Sequence, residues 1–196
     1  MRNDISLELA SRLTEQVKTA FENGSLLDAV TPVTQDLLKF WFMGPYTEER
    51  SKNFHEGQKQ SILNIIYLHE VLQVTTVEEI YRQVAPDLLA ECNLSDLAKE
   101  KYRIPKYAVK MATGTGKTWV MHALLLWQLL NGRHEEQEER SGRYTQNFLI
   151  VAPGLIVYDR LKDAYCGRLK ENCTERDPFT NDLYLHKDLF IPLAYR

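Results

Sequence analysis

The sequence predicts an α/β fold, with a helical N-terminal segment ahead of a partial parallel sheet. Three observations predict it. Tyr107-Ala108-Val109-Lys110 precedes the glycine-bearing run Met111-Ala112-Thr113-Gly114-Thr115-Gly116-Lys117-Thr118, and the apolar stretch Trp119 to Leu130 follows it, so strand, loop and helix come in order. A second apolar stretch, Asn147 to Ala152, lies beyond a polar connector at the spacing of a βαβ crossover. Upstream, apolar residues recur at helical rather than strand spacing.

Taken in order, Ile5, Leu9, Leu13, Val17 and Phe21 form one stripe of a helix between Asp4 and Asn23 that ends at Gly24. Gln35 to Phe42 is a second helix, stopped by Met43-Gly44-Pro45. Gly57 to Val74 is a third, with Ile62, Ile65, Ile66 and Leu72 on one face and Leu68 and Val71 widening it. Thr76-Val77-Glu78-Glu79 reads as a capping box opening a helix toward Val84. Pro86 to Arg103, with Leu88, Leu89, Leu94 and Leu97, reads as short helices, making a helical insertion over about 76–103. The helix after the loop is expected to stop at Asn131-Gly132, and Arg133 to Gln146 to be a polar connector. Pro153-Gly154 turns the chain into a helix through Ala164-Tyr165, and Cys166 to Arg196 reads as loop, broken at Asp177-Pro178 and Ile191-Pro192.

The loop is where chemistry concentrates. Glycines let successive backbone N–H groups turn inward round phosphate oxygens, and Lys117 is the candidate catalytic cation, reaching the β- and γ-phosphates of a nucleoside triphosphate. Thr118 offers a hydroxyl to Mg²⁺, and the helix N-terminus adds its dipole. The strict pattern places a glycine where Met111 stands, so a Gly-Thr-rich turn with an incidental lysine is the plainer alternative.

Composition bounds the rest. The 196 residues are 44% apolar and 26% charged, ordinary globular values, and they carry a net charge of −3. No global basic footprint marks an autonomous nucleic-acid-binding domain, so DNA contacts must be local. Cys92, Cys166 and Cys173 lack the close spacing of structural zinc and read as thiols of a reducing cytosol. No apolar run has the length of a membrane span, which points to a cytoplasmic chain.

With these residues in view, the chain resembles the first motor domain of superfamily 2 DEAD/DEAH-box helicases, most of all the Res subunit of type III restriction enzymes. In that family the loop reads A or M, then x-x-G-x-G-K-T, which Met111 to Thr118 matches. Its proline-containing motif after a strand resembles Phe148 to Gly154 and implies that Pro153 and Gly154 touch a nucleic-acid backbone. Its upstream glutamine resembles Gln58 in Gln58-Lys59-Gln60-Ser61-Ile62 and implies a reader of adenine; an exposed polar residue at a helix start is the alternative.

The resemblance thus implies a RecA-like domain over 54–196, incomplete and preceded by a helical segment over 1–53. ATP and Mg²⁺ would be its cofactors, held by Gln58, Ala112, Thr113, Gly114, Thr115, Gly116, Lys117 and Thr118. DNA and a methyltransferase (Mod) subunit are the implied partners. The family's acidic Mg²⁺ and water-activating motif is not found; Leu155-Ile156-Val157-Tyr158-Asp159 imitates it, but no crossover separates it from the preceding strand. The expectation is therefore an N-terminal fragment of a DNA-dependent ATPase or translocase, unable to turn over ATP alone. A nucleotide-binding module that switches without hydrolysis is the alternative. A small-molecule kinase would need clustered arginines after the loop helix, where the sequence is acidic.

Other residues carry two readings each. His122 reads as packing or a satisfied polar contact, and Trp119 and Trp127 as core rather than base-stacking platforms. Cys166, Cys173 and His186 are spaced irregularly for metal. Arg160, Lys162 and Arg168 are either phosphate contacts or an ordinary charged face.

Overall fold

The computed structural model describes residues 5–92, 100, 106–137, 142–171 and 173–196. The chain forms two compact units, Met1–Thr31 with His55–Val120, and Pro32–Phe54 with Met121–Arg196. Both are interleaved in sequence, whereas the expected division at 53/54 follows chain order.

In the first unit the helix Ile5–Glu22 buries Leu13 and Val17 from its stripe. Gly24, at φ 85, ends it and opens the helix Ser25–Ala29, which buries Leu26 and Leu27. The helix Glu56–Ile66 buries Ile62, Leu63 and Ile66. Polar ties hold it to the first helix: Asn64 Nδ2 donates to Thr14 Oγ1 at 3.1 Å, and Gln16 Nε2 to the Tyr67 hydroxyl at 3.0 Å. The expected single helix from Gly57 to Val74 changes character after Ile66. Tyr67–Val71 is a π turn, and Gln73 at φ 52 closes it. The wider turn rotates the buried face so that Tyr67, Leu68 and Glu70 are all inside, with Glu70 Oε2 accepting from the Thr31 N–H at 2.8 Å.

The expected capping box is present: Glu79 N–H donates to Thr76 Oγ1 at 3.2 Å, and Thr76 N–H to Glu79 Oε2 at 3.1 Å, opening the helix Val77–Val84. Its Tyr81 packs with Ala85 and with Leu88 of the short helix Pro86–Leu89. Leu94, Leu97 and Arg103 lie outside the described residues.

In the second unit the helix Pro32–Phe42 begins before Gln35 because proline suits the first helical position. It buries Val33, Thr34, Leu37, Leu38, Phe40 and Trp41. Trp41, Phe54 and Phe190 form an edge-to-face cluster, and Trp41 Nε1 donates to the Phe190 carbonyl at 2.9 Å.

The helix after the loop, Lys117–Gln137, supplies its first four residues to the first unit and the remainder to the second. It does not stop at Asn131-Gly132. Asn131 is buried, and its Nδ2 donates to Thr34 Oγ1 and to the Trp127 carbonyl, both at 2.9 Å. Trp127 Nε1 donates to the same hydroxyl at 3.0 Å. These buried bonds outweigh the cost of about 1 kcal/mol for an interior glycine. Residues 138–141 of the acidic connector lie outside the described residues.

The helix Leu155–Cys166 ends at Gly167, φ 85, where a Cβ would stand 1.8 Å from the Asp177 carbonyl oxygen. The tail read as loop contains short elements: an antiparallel pair, Arg168–Leu169 with Arg176–Asp177, then the helices Asp182–Leu185 and Lys187–Phe190. Asp177 and Asn181 each cap the turn that follows them.

Among the described residues this two-stranded pair is the only sheet. The segments 107–110 and 147–152, expected as strands, have no ladder partner among the described residues. Leu149 is 89% exposed and Val151 79%, so their apolar side chains lie on the surface.

Candidate functional site

The site is built on the loop from Met111 to Thr118. Gly114, at φ 81, and Gly116, at φ 72, take the left-handed conformation that other residues resist. The Ala112 carbonyl gathers the turn, accepting from Thr115 Oγ1 at 2.7 Å and Thr115 N–H at 3.4 Å. Lys117 opens the helix, and its Nζ folds back to donate to the Met111 and Ala112 carbonyls, both at 2.8 Å. Trp119 N–H already bonds the Gly116 carbonyl at 2.9 Å. Ala112, Thr113 and Gly114 are exposed, and beside Gly114 the space for a side chain is open.

Gln58 is buried, not an exposed helix-start residue. Its Nε2 donates to the Thr115 and Gly116 carbonyls at 3.2 Å each, and its Oε1 accepts from the His55 N–H at 2.9 Å. A Cβ on Gly116 would lie 2.3 Å from Gln58 Nε2, so this contact demands glycine. His55, absent from the sequence expectations, caps the Glu56–Ile66 helix by accepting from Gln58 N–H at 3.4 Å, and its Nε2 lies 2.8 Å from the Thr115 carbonyl oxygen. A carbonyl can only accept, so Nε2 carries the proton. The spacing His55-x-x-Gln58 is that of a capping box, the one signal that could have exposed His55; histidine is not a usual N-cap, which hid it.

The remaining candidates belong to the second unit. Pro153 and Gly154 form an exposed bend at the head of the Leu155–Cys166 helix, with Gly154 extended at φ 176. Arg160 and Arg168 are exposed, and Lys162 Nζ sits 4.6 Å over the Tyr158 ring. Asp159 is exposed on the helix surface rather than at the end of a strand. Among the described residues, no three His, Cys, Asp or Glu side chains gather as metal ligands. Cys166 and Cys173 are exposed free thiols.

His122 is fully buried, edge-on to Tyr165 at 4.5 Å, with Nε2 3.4 Å from Asp182 Oδ2. Burial pushes its pKa down against the opposing pull of Asp182. Trp127 belongs to the core of its unit.

The cluster thus joins two left-handed glycines, a lysine at the first turn of a 21-residue helix, and loop carbonyls bonded by Gln58 and His55. A family model described as "type III restriction enzyme, res subunit" matches residues 51–188, and the chain belongs to that family. No curated protein and no solved structure matches the chain. No helix among the described residues is long and apolar enough to cross a membrane.

Proposed function

We propose that this chain is the ATP-binding part of a DNA-dependent ATPase, a Res-type translocase that works in the cytoplasm with a methyltransferase subunit. The observation that supports it is the loop, with Gly114 and Gly116 left-handed and the Lys117 ammonium already lying against two loop carbonyls. These residues fit a triphosphate: the backbone N–H groups from Thr113 to Lys117 would cradle it, Lys117 would exchange its carbonyls for β- and γ-phosphate oxygens, and Thr118 would offer its hydroxyl to Mg²⁺. ATP, when bound, supplies the phosphoanhydride whose hydrolysis drives movement on DNA.

In this reading 107–110 and 147–152 are strand segments of a RecA-like parallel sheet. Pro153 and Gly154 meet the DNA backbone locally, consistent with the net charge of −3. Reading adenine would require Gln58 to exchange one of its present bonds.

Equilibrium titration of Mg·ATP, Mg·GTP and Mg·ADP tests this. Lys117→Ala should weaken Mg·ATP at least about a hundredfold, the loss of a charge-assisted phosphate contact. Gln58→Ala should erase a preference for adenine. Unchanged affinity in Lys117→Ala overturns the site assignment. Turnover of ATP by the 196-residue chain alone should be negligible, because its sequence does not show the family's acidic motif that activates the attacking water.

A further inference from the structure

We propose that His55 is a positioning residue for the phosphate loop, holding the peptide whose amide faces the nucleotide; this rests on the nucleotide reading above. Thr115 and Gly116 each have their carbonyl fixed from the same side. His55 Nε2 and Gln58 Nε2 reach the Thr115 oxygen at 2.8 and 3.2 Å, and Gln58 Nε2 reaches the Gly116 oxygen at 3.2 Å.

Among the described residues the one cis peptide is Gly44-Pro45, so the peptides after Thr115 and after Gly116 are trans. In a planar trans peptide the C=O and the following N–H point to opposite sides. Pinning the two carbonyls therefore turns the N–H groups of Gly116 and Lys117 away from His55 and Gln58, toward the face an anion would occupy. The Gly116 carbonyl is also held by the Trp119 N–H at 2.9 Å, so the direction of the Lys117 amide is fixed by the helix as well, and the amide that depends on His55 is that of Gly116, a glycine at φ 72.

The shorter of the bonds to Thr115 comes from His55, and only one tautomer makes it. Nδ1 faces the Gln58 N–H and must accept, so Nε2 carries the proton and donates. One imidazole thus joins two tasks, capping the Glu56–Ile66 helix through Nδ1 and holding the loop through Nε2.

Two substitutions in the full chain separate those tasks. In His55→Ser the hydroxyl still caps Gln58 N–H but cannot span to Thr115. In His55→Gln the side-chain amide can stand in for the Nε2 donor while the cap is lost. Three quantities are read: Mg·ATP affinity, melting temperature, and the Gly116 and Lys117 amide cross-peaks of the nucleotide-free protein. His55→Ser is expected to move the Gly116 cross-peak, with the Lys117 cross-peak as the internal reference, and to weaken Mg·ATP about tenfold at an unchanged melting temperature, the scale of one hydrogen bond. His55→Gln is expected to melt lower and keep its affinity. A Gly116 cross-peak that stays in place in His55→Ser overturns the proposal. So does a His55→Gln protein that loses as much affinity as His55→Ser, since the cap would then account for the effect. A wild-type chain that does not bind Mg·ATP withdraws the nucleotide reading instead, and the cross-peaks, which need no nucleotide, still decide whether His55 holds the loop.

Discussion

The segments Tyr107 to Thr118 and Phe148 to Gly154 share a layout: an apolar stretch, a glycine-bearing turn, and a helix that starts at once, at Lys117 and at Leu155. Their surroundings differ. The first turn holds two glycines at positive φ and is bound from behind by Gln58 and His55. The second turns at Gly154 with φ 176, a conformation open to any residue, beneath apolar side chains that lie on the surface. What sets the first turn apart is therefore its two left-handed glycines and the hydrogen bonds on its carbonyl side, not the helix behind it.

Substituting the same residue type in both turns is the direct way to break this comparison. Gly116→Ala combines a left-handed φ with a Cβ 2.3 Å from Gln58 Nε2, and should cost about 3 kcal/mol, lowering the melting temperature by roughly 6–12 °C. Gln58→Leu keeps the volume and removes three hydrogen bonds; a loss of about 2 kcal/mol in chemical denaturation is expected. Gly114→Ala carries the strain of φ 81 but meets open space, so about 1 kcal/mol should be lost. Gly154→Ala, extended and with nothing within 4 Å of the added carbon, should cost about 0.5 kcal/mol, the difference between a good and a poor N-cap. Equal losses in Gly116→Ala and Gly154→Ala would remove the distinction between the two turns.

How much of this was legible in the sequence depends on the range of the forces involved. The helix Ile5–Glu22 and the Thr76 capping box follow from residues within four positions of one another, and they stand where the spacing put them. The loop residues also follow from local pattern, and Gly114 and Gly116 there stand at positive φ. Contacts over long separations were not legible. Asn131-Gly132 looks like a helix stop until Thr34, 97 residues away, takes the asparagine amide. Gln58 could be singled out by resemblance, yet its hold on Gly116, 58 residues on, is a fact of packing. His55 escaped because a histidine N-cap is unusual and its second partner, Thr115, is 60 residues distant. The apolar runs 107–110 and 147–152 read as strands from local pattern, and the neighbour that a strand must bond lies at long range, where local pattern carries no information.

The bent-back lysine has a kinetic consequence. Two of the three N–H donors on Lys117 are engaged with Met111 and Ala112, so its charge is latched against the loop's own carbonyls. Under the nucleotide-binding proposal, an arriving anion meets at most the third donor before the latch opens. Association should then proceed in two steps, an encounter followed by release of the ammonium from its carbonyls, and the observed rate should level off as ligand concentration rises instead of climbing in proportion to it.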